Sequence, residues 1–237
     1  MKILQEELHK RYSLQAKWTK PFRNYLFTKL PVTDDISILE VGCGTGAVME
    51  DIQPILPGRI RQISGMDICR DSLVFASTKN NFQYIQGDGI HLPFIESCFD
   101  LTYCHYFLLW VQMPKDFLSE MLRVTKKGGI CAVMAEPCYD EMKVEPEELK
   151  NLALKQKKVL LEKGANANIG NSLYELFHEA GFSEIEFGKY NDGKTDMDFL
   201  NNEIKQMLLD TDENYFELHS NVNYTYKIPT YYASVNK

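Results

Sequence analysis

The chain has 237 residues and a formal net charge of −7, and these figures exclude several classes of protein. The length suits one well-buried α/β domain with additions and is too short for two full-sized domains. No apolar run approaches the ~20 residues of a membrane helix, and the N-terminus lacks the apolar core of a signal peptide. Six scattered cysteines form neither a C-x-x-C pair nor a zinc spacing with histidine. We therefore expect a cytoplasmic protein with reduced thiols, no metal site and no membrane contact.

The positive charge is concentrated in the N-terminal segment, residues 1–35. The first thirty residues hold seven Lys or Arg against two Glu, which leaves about −12 for the remainder. Apolar spacing around Leu8 and Leu26 predicts two amphipathic helices between residues 3 and 30, separated at Pro21. A basic arm can contact nucleic acid, but these cations are spread over both helices and the acidic body repels a polyanion. A nucleic-acid substrate is disfavoured.

A glycine-rich turn follows the first predicted strand. The strand of Ile38 to Val41 leads into Gly42, Gly44 and Gly46, a spacing typical of a tight turn against which a ligand binds. A short helix from Ala47 to about Gln53 should follow and end at Pro54. The turn also fits a loose dinucleotide-binding pattern. Glu40, however, would repel a pyrophosphate, so the ligand should be cationic.

The segment from Leu39 to Gly46 resembles the first motif of class I S-adenosylmethionine (SAM)-dependent methyltransferases, in the type 11, UbiE-like small-molecule branch. The resemblance implies a Rossmann-like α/β fold. This is a seven-stranded, mostly parallel sheet with helices on both faces and an antiparallel last strand, to which N-terminal helices and a C-terminal insertion are added. It also implies that five residues here bind the cofactor: Glu40, Gly42, Cys43, Gly44 and Gly46.

Two further acidic residues end the next two predicted strands. Asp67 closes the strand from Arg59 to Met66, 21 residues beyond Gly46, where a carboxylate can accept hydrogen bonds from ribose hydroxyls. Asp71 is the better cap for the following helix, which leaves Asp67 free for a ligand. By the resemblance, Ile68 touches the adenine ring, and Asp88 with Gly89, after the strand of Phe82 to Gln86, contacts the adenine amino group.

The fourth and fifth strands carry the catalytic and substrate candidates. Phe99 to Cys104 is predicted as strand four, with Cys104 at the cofactor edge and His105 just beyond. His105 is the candidate general base if the acceptor is a hydroxyl or phenol, and the alternative is a packed or adenine-side histidine. A helix from Pro114 to Thr125 precedes strand five, Ile130 to Ala135. Glu136 then lies where substrate would enter.

Beyond a predicted strand at residues 185–190, the chain departs from the family pattern. We divide the single domain into an N-terminal segment (1–35), a cofactor-binding core (36–190), an insertion (191–226) and a last strand (227–237). The insertion contains a helix with one apolar stripe of Met197, Leu200, Ile204, Met207 and Leu208. This helix is a lid, a dimer contact or plain core packing. Aromatic residues of the insertion should shape the acceptor pocket: Tyr215, Phe216, His219, Tyr224 and Tyr226.

The function implied by the resemblance is methyl transfer from SAM to an O, N, C or S nucleophile of a small-molecule acceptor, with S-adenosylhomocysteine as product. In the family, N-terminal helices pack beside the cofactor mouth, so Tyr12 and Trp18 are candidate lining residues, or else packing residues. Two alternatives from other classes are a SAM-binding protein without catalysis and, disfavoured by Glu40, a nicotinamide-dependent oxidoreductase. The protein is expected to be a monomer or a homodimer.

Overall fold

The computed structural model describes residues 2–31, 35–56, 58–190, 197–211, 216–219 and 222–237. Nine strands lie in these ranges, and seven of them form one sheet. These seven are β1 (Ile36–Val41), β2 (Ile60–Asp67), β3 (Gln83–Gln86), β4 (Phe99–His105), β5 (Thr125–Pro137), β7 (Glu186–Tyr190) and β9 (Thr230–Asn236). The other two, β6 (Lys143–Glu145) and β8 (Thr225–Lys227), pair separately.

The strand order of the main sheet is β3-β2-β1-β4-β5-β9-β7. Strands β1 to β5 pair in parallel, whereas β9 inserts between β5 and β7 and runs antiparallel to both. The predicted α/β fold with a reversed last strand is confirmed. The chain order reverses between β1 and β4, and open α/β sheets bind ligands at the carboxyl ends of the strands beside such a reversal.

Helices cover both faces of the sheet. Helices α1 (Lys2–Lys29), α2 (Ile52–Ile55) and α3 (Arg70–Ser77) bury residues such as Leu26 in one apolar cluster. Helices α4 (Pro114–Val124) and α6 (Leu173–Glu179) bury residues such as Phe117 in the cluster on the other face. The sheet is therefore shielded on both sides, and its carboxyl edge is left to form a site.

The predicted break at Pro21 is wrong, because α1 is a single helix of 28 residues that runs through this proline. The buried guanidinium of Arg23 donates a hydrogen bond of 2.6 Å to the carbonyl of Ala16, in the turn before the proline. Phe22, Leu26 and Phe27, which follow the proline in α1, are buried. Tertiary packing thus overrides the local cost of proline in a helix.

Two other local predictions need correction. The residues after the glycine turn form a 3-10 turn (Met49–Asp51) and then α2, which contains Pro54 instead of ending before it. The fifth strand begins at Thr125 and not at the predicted Ile130, directly after α4 ends at Val124. Pairing with β4 from Phe99 onward draws this stretch into the sheet.

The C-terminal insertion is part of the packed structure. Helix α7 (Met197–Thr211) packs on α5 (Glu147–Glu162), where Leu200, Ile204 and Met207 meet Leu149 and Leu152. Strand β8 ties the same insertion to β6. Of the three predicted roles for the apolar stripe, core packing is the one observed, although Met197 at its start is 44% exposed.

Candidate functional site

Two adjoining cavities open at the carboxyl ends of the parallel strands. One, of about 330 Å³, is lined by Glu40 and is called the Glu40 cavity. The other, of about 340 Å³, is lined by Asp88 and is called the Asp88 cavity. Four residues line both cavities: Gly42, Asp67, Phe107 and Trp110. Each cavity has the size of a small-molecule site, and the shared wall indicates one elongated binding site.

The glycine turn forms the floor between the cavities. The amides of Gly42 and Cys43 both donate to the carbonyl of Met66 at the end of β2, at 2.7 and 3.0 Å. Gly42 has φ +76°, and a Cβ placed there would lie 2.2 Å from the ring of Phe107. The position therefore requires glycine twice over, for its backbone conformation and for the ring that rests on it.

Asp67 anchors the turn, which corrects the prediction that it is free for a ligand. Its Oδ2 accepts a hydrogen bond of 2.7 Å from the amide of Gly44, and its Oδ1 accepts one of 2.8 Å from the amide of Cys69. Asp71 lies in the first turn of α3 and makes no capping bond there. The Asp67 carboxylate still lines both cavities, with lone pairs remaining on each oxygen.

Glu40 is 1% exposed and lines the cavity named after it. Its Oε2 accepts a hydrogen bond of 2.9 Å from the hydroxyl of Tyr103. Burial raises the pKa of Glu40 to about 8, although the Tyr103 hydrogen bond and the charge of Arg23 act in the opposite direction. A buried acid near neutrality becomes an anion most readily when a cation binds beside it.

The Asp88 cavity combines strand-end acids with an apolar rim. Three of its lining side chains are large, apolar and more than 40% exposed: Ile68, Trp110 and Met113. Asp88 is exposed, and its Oδ1 accepts a hydrogen bond of 3.1 Å from the amide of Ile90. Gly89 lies against Phe117, where a Cβ would approach the ring to 2.6 Å. The surface suits a flat, partly apolar group with polar edges.

Glu136 does not reach either cavity, so the structure contradicts its assignment as a substrate contact. It is fully buried, and its carboxylate accepts hydrogen bonds from the amides of Phe107, Leu108 and Leu109 at 2.9, 2.8 and 3.1 Å. Burial raises its pKa to about 7. Glu136 thus holds the turn that carries Phe107. Phe107 lines both cavities and is called the Phe107 partition.

Two of the predicted cofactor residues also lie away from the cavities. Cys104 is buried within the apolar core. Gly46 faces Tyr84, whose hydroxyl would lie 2.6 Å from an added Cβ. Neither residue lines the Glu40 or the Asp88 cavity, so both pack next to the site without facing it. Cys43, by contrast, lines the Glu40 cavity beside Gly44.

His105 lines the Glu40 cavity and not the Asp88 cavity, which places it away from the predicted adenine side. It is 8% exposed, and burial is the main cause that lowers its pKa to about 3, with the charge of Arg23 adding to the effect. The ring is therefore neutral near pH 7 and a weak base. Its Nε2 is buried and has no hydrogen-bond partner among the described residues.

Helices α1, α5 and α7 form the outer wall of the Glu40 cavity. Arg11 of α1 makes a two-pronged ion pair with Glu203 of α7, at 2.9 and 3.0 Å. Tyr12 lies one residue further along α1, and its ring would approach a Cβ on Gly44 to 3.2 Å. The sequence left Tyr12 as either a lining or a packing residue, and the structure places it in the lining of the Glu40 cavity. The side chain of Trp18 lies outside the part of the chain that the structure describes.

Four of the five aromatic residues predicted to shape the acceptor pocket lie in the described part of the chain, and none of these four lines the Glu40 cavity. Phe216, Tyr224 and Tyr226 pack into the apolar cluster between α5 and α7, and His219 is exposed. Tyr215 lies outside the described residues. The insertion reaches the cavity instead through Gln206 and Asp210 of α7. Aromatic residues elsewhere supply its rings, namely Tyr12, Tyr106, Phe107, Trp110 and Tyr139.

Gln156 of α5 is a site residue that the sequence analysis did not identify. It lines the Glu40 cavity, is 2% exposed, and its Oε1 has no hydrogen-bond partner among the described residues. A signal was present, since Gln156 is the polar member of an apolar stripe that includes Leu149 and Leu152. A buried polar group without a partner in a cavity indicates contact with a ligand.

No helix within the described ranges combines the length and apolar character that a membrane span needs. Groups of three or more His, Cys, Asp or Glu suitable for a metal ion are likewise not found among these residues.

Comparison with known proteins adds the family context. Residues 39–133 match the model of a methyltransferase domain. A demethylmenaquinone methyltransferase of Lactococcus lactis is 28% identical over 67% of this chain and 70% of its own length. A malonyl-[acyl-carrier protein] O-methyltransferase of Buchnera aphidicola is 31% identical, but the match spans only 45% of this chain and 42% of that protein. A methyltransferase candidate from Bacillus halodurans, 20% identical, shares the fold with a TM-score of 0.57 over 89% of this chain and 95% of its own.

Proposed function

We propose that the chain is a class I SAM-dependent methyltransferase and that its two cavities together hold SAM and a small-molecule acceptor. The adenosine half would occupy the Asp88 cavity, and the methionine half with the acceptor would share the Glu40 cavity. The observation that supports this arrangement is the convergence of Glu40, Asp67 and Asp88, from three adjacent strand ends, on cavities with a common wall.

The residues fit SAM in three ways. A buried carboxylate at Glu40 matches a ligand that carries a sulfonium and an ammonium, and it would repel the pyrophosphate of a nicotinamide cofactor. Asp67 presents lone pairs that can accept hydrogen bonds from ribose hydroxyls. Ile68, Trp110 and Met113 offer apolar surface to an adenine. This donor set disfavours the oxidoreductase alternative.

The main contribution of the protein to catalysis is to position SAM and the acceptor relative to each other. When bound, SAM supplies a methyl group that is already activated by the sulfonium. The chain then has to hold the acceptor nucleophile in line with that group, and such positioning is worth several kcal/mol. Phe107, held by Glu136, separates the two cavities, and Tyr106 and Tyr139 flank the Glu40 cavity. Helices α1, α5 and α7 form the outer wall of this space.

His105 acts in this proposal as a hydrogen-bonding residue and not as a general base. A hydroxyl of pKa near 10 or above transfers little proton to an imidazole whose pKa is about 3. A neutral imidazole can still orient the acceptor through Nε2. Acceptors that react without a strong base are therefore favoured.

The acceptor class is inferred from the curated relatives. Those relatives are named for methylation of demethylmenaquinone and of malonyl-[acyl-carrier protein], which are different kinds of acceptor. They share a domain and not a substrate, so we take from them only the general class of metabolite acceptors. The Glu40 cavity is of a suitable size for such a molecule.

Calorimetric titration with SAM, S-adenosylhomocysteine and NADH tests the cofactor assignment. We expect SAM and S-adenosylhomocysteine to bind in the micromolar range and NADH not to bind. Equal affinity for NADH would contradict the proposal. Incubation of labelled SAM with metabolite extracts then tests catalysis, and failure to label any acceptor would favour the alternative of a binding protein without turnover.

A further inference from the structure

The acceptor side of the Glu40 cavity has no unbalanced positive charge among the described residues. Arg11 and Lys163 are the two Lys or Arg residues that line the cavity. Arg11 is engaged by both oxygens of Glu203, which is 4% exposed. Lys163 lies 3.7 Å from Asp210 at the rim. A carboxylate or phosphate acceptor would therefore meet cations whose charge is already balanced by a carboxylate.

The carboxylates on this side of the cavity likewise have partners already. Glu203 belongs to Arg11, and Asp210 accepts a hydrogen bond of 3.0 Å from Gln206 in addition to its contact with Lys163. Glu40 and Asp67, the other acidic residues that line the cavity and have no salt bridge among the described residues, lie at the strand ends proposed for the cofactor. A cationic acceptor would find no carboxylate on the helical wall that is not already matched.

Two polar atoms of residues in the cavity wall are buried and have no hydrogen-bond partner among the described residues, the Oε1 of Gln156 and the Nε2 of His105. They enter the cavity wall from different elements, Gln156 from α5 and His105 from the end of β4. Burying such atoms without partners destabilises the fold, so their retention is explained if a ligand satisfies them.

We propose that Gln156 is the specificity-determining residue for the acceptor, and that it selects an uncharged molecule by accepting a hydrogen bond from its hydroxyl or N–H group, with His105 as the second polar contact. This inference rests on the proposed function of the same cavity. Leu160, one turn beyond Gln156 on α5, and Tyr139 supply the apolar and aromatic surface around that contact. An uncharged ring that carries one hydroxyl fits this wall.

The test uses three probes with one skeleton and different charge: benzyl alcohol, benzoate and benzylamine. Each is titrated into the full chain saturated with S-adenosylhomocysteine, and binding is followed by ligand-observed NMR. We expect benzyl alcohol to bind at least about tenfold more tightly than either charged probe, because a charged group gives up its hydration without gaining a partner. The proposal is overturned if benzoate or benzylamine binds as tightly as benzyl alcohol, or if none of the three binds.

Variants of Gln156 connect the preference to this residue. Gln156→Met keeps the length of the side chain and removes its polar atoms. It should lower the affinity for benzyl alcohol about tenfold and leave the affinity for S-adenosylhomocysteine within about twofold of the wild-type value. Gln156→Glu should raise the affinity for benzylamine above that for benzyl alcohol. The matched control, Gln83→Met, alters an exposed glutamine on β3 and should change neither affinity.

The outcomes separate this inference from the proposed function. If S-adenosylhomocysteine fails to bind the wild-type chain, the cofactor assignment itself is wrong and the inference falls with it. If S-adenosylhomocysteine binds but both Gln156 variants keep the wild-type order of probes, the cofactor assignment stands and the role of Gln156 is refuted.

Discussion

The two sides of the binding site are built by different means. The cofactor side consists of strand ends and tight turns, in which backbone groups such as the amide of Gly44 are fixed by nearby carboxylates. The acceptor side consists of three helices joined by side-chain pairs, such as Arg11 with Glu203, which lie 192 positions apart in sequence. A rigid backbone cradle suits a ligand common to a whole family. A wall of helical side chains can change from one member to the next without disturbing that cradle.

Replacement of Asp67 should have the largest effect, because the residue serves the turn and the ligand together. Asp67→Ala removes hydrogen bonds to the amides of Gly44 and Cys69 and the proposed bonds to ribose. We expect SAM affinity to fall by about a hundredfold or more and the apo protein to lose about 1–3 kcal/mol of stability. Calorimetry and thermal melting measure the two effects.

Asp88→Ala is the matched control for that experiment, since Asp88 is exposed and bonds a single amide, that of Ile90. It should weaken SAM binding by a smaller factor and leave the melting temperature almost unchanged. An Asp67 variant that binds SAM normally would show that the ribose is bound elsewhere.

A pair of glycine variants isolates the role of the Phe107 partition. Gly42 and Gly58 have φ of +76° and +73°, but a Cβ would overlap Phe107 at the first and meet nothing within 4 Å at the second. Gly58→Ala should cost about 1–2 kcal/mol from backbone strain alone. Gly42→Ala should cost about 1–3 kcal/mol more and also weaken SAM binding.

Urea unfolding of both glycine variants gives the difference directly. Equal losses of stability would mean that Phe107 moves aside freely, and that the partition between the cavities is not rigid.

Glu40 should link proton release to cofactor binding. Because its pKa is raised to about 8 in the folded protein, it is mostly protonated at pH 7, and a bound cation should drive that proton off. Calorimetry in buffers of different ionisation enthalpy should detect release of up to one proton at pH 7. Glu40→Gln should abolish the proton release. It should also lower the affinity for SAM more than the affinity for adenosine, which lacks the methionine cation.

The same residue predicts how apo stability depends on pH. The folded pKa exceeds the ordinary value of 4.5, so the stabilisation from a protonated Glu40 is complete below pH 4.5 and is lost as pH rises through about 8. Stability relative to Glu40→Gln should therefore fall by at most about 1.4 kcal/mol per pH unit in this window. Glu136, with a pKa of about 7, titrates in both proteins and cancels in the difference. A constant difference across pH 5 to 9 would refute the linkage.

The smallest expected effect is a gain of stability on the acceptor side. Gln156→Met removes a buried polar atom that has no partner among the described residues, so the apo protein should become more stable by about 1 kcal/mol. For a chain of this length, that gain corresponds to a rise of about 2–4 °C in melting temperature. A lower melting temperature would mean that Gln156 serves the fold and not the ligand.

Local sequence was sufficient for the parallel strands of the sheet and for the glycine turn. The strand ends at Glu40, Asp67 and Asp88 were identified from short apolar runs that end in acids, because each strand is specified by a few adjacent residues. The reversed last strand at the C-terminus was also predicted, although from the family resemblance. The ligand contacts assigned to these three acids remain predictions.

Local sequence misled wherever a distant partner decides the outcome. Pro21 predicts a helix break, but burial of Phe22 and Leu26 carries α1 through it. The position of Glu136 at a strand end predicts a substrate contact, whereas its carboxylate accepts hydrogen bonds from three amides of the turn after β4. In both cases the competing interaction comes from residues that the local pattern does not include.

The sequence by itself determined the succession of the parallel strands along the chain and the glycine turn, because these depend on residues close together in the chain. Only the tertiary structure decided which side chains line the Glu40 cavity. The wall made by Gln156, Gln206 and the Arg11–Glu203 pair exists because α5 and α7 pack through Leu149, Leu152, Leu200 and Ile204. Contacts of that range depend on how helices pack against one another, and the apolar stripe of one helix does not reveal which partner it will meet.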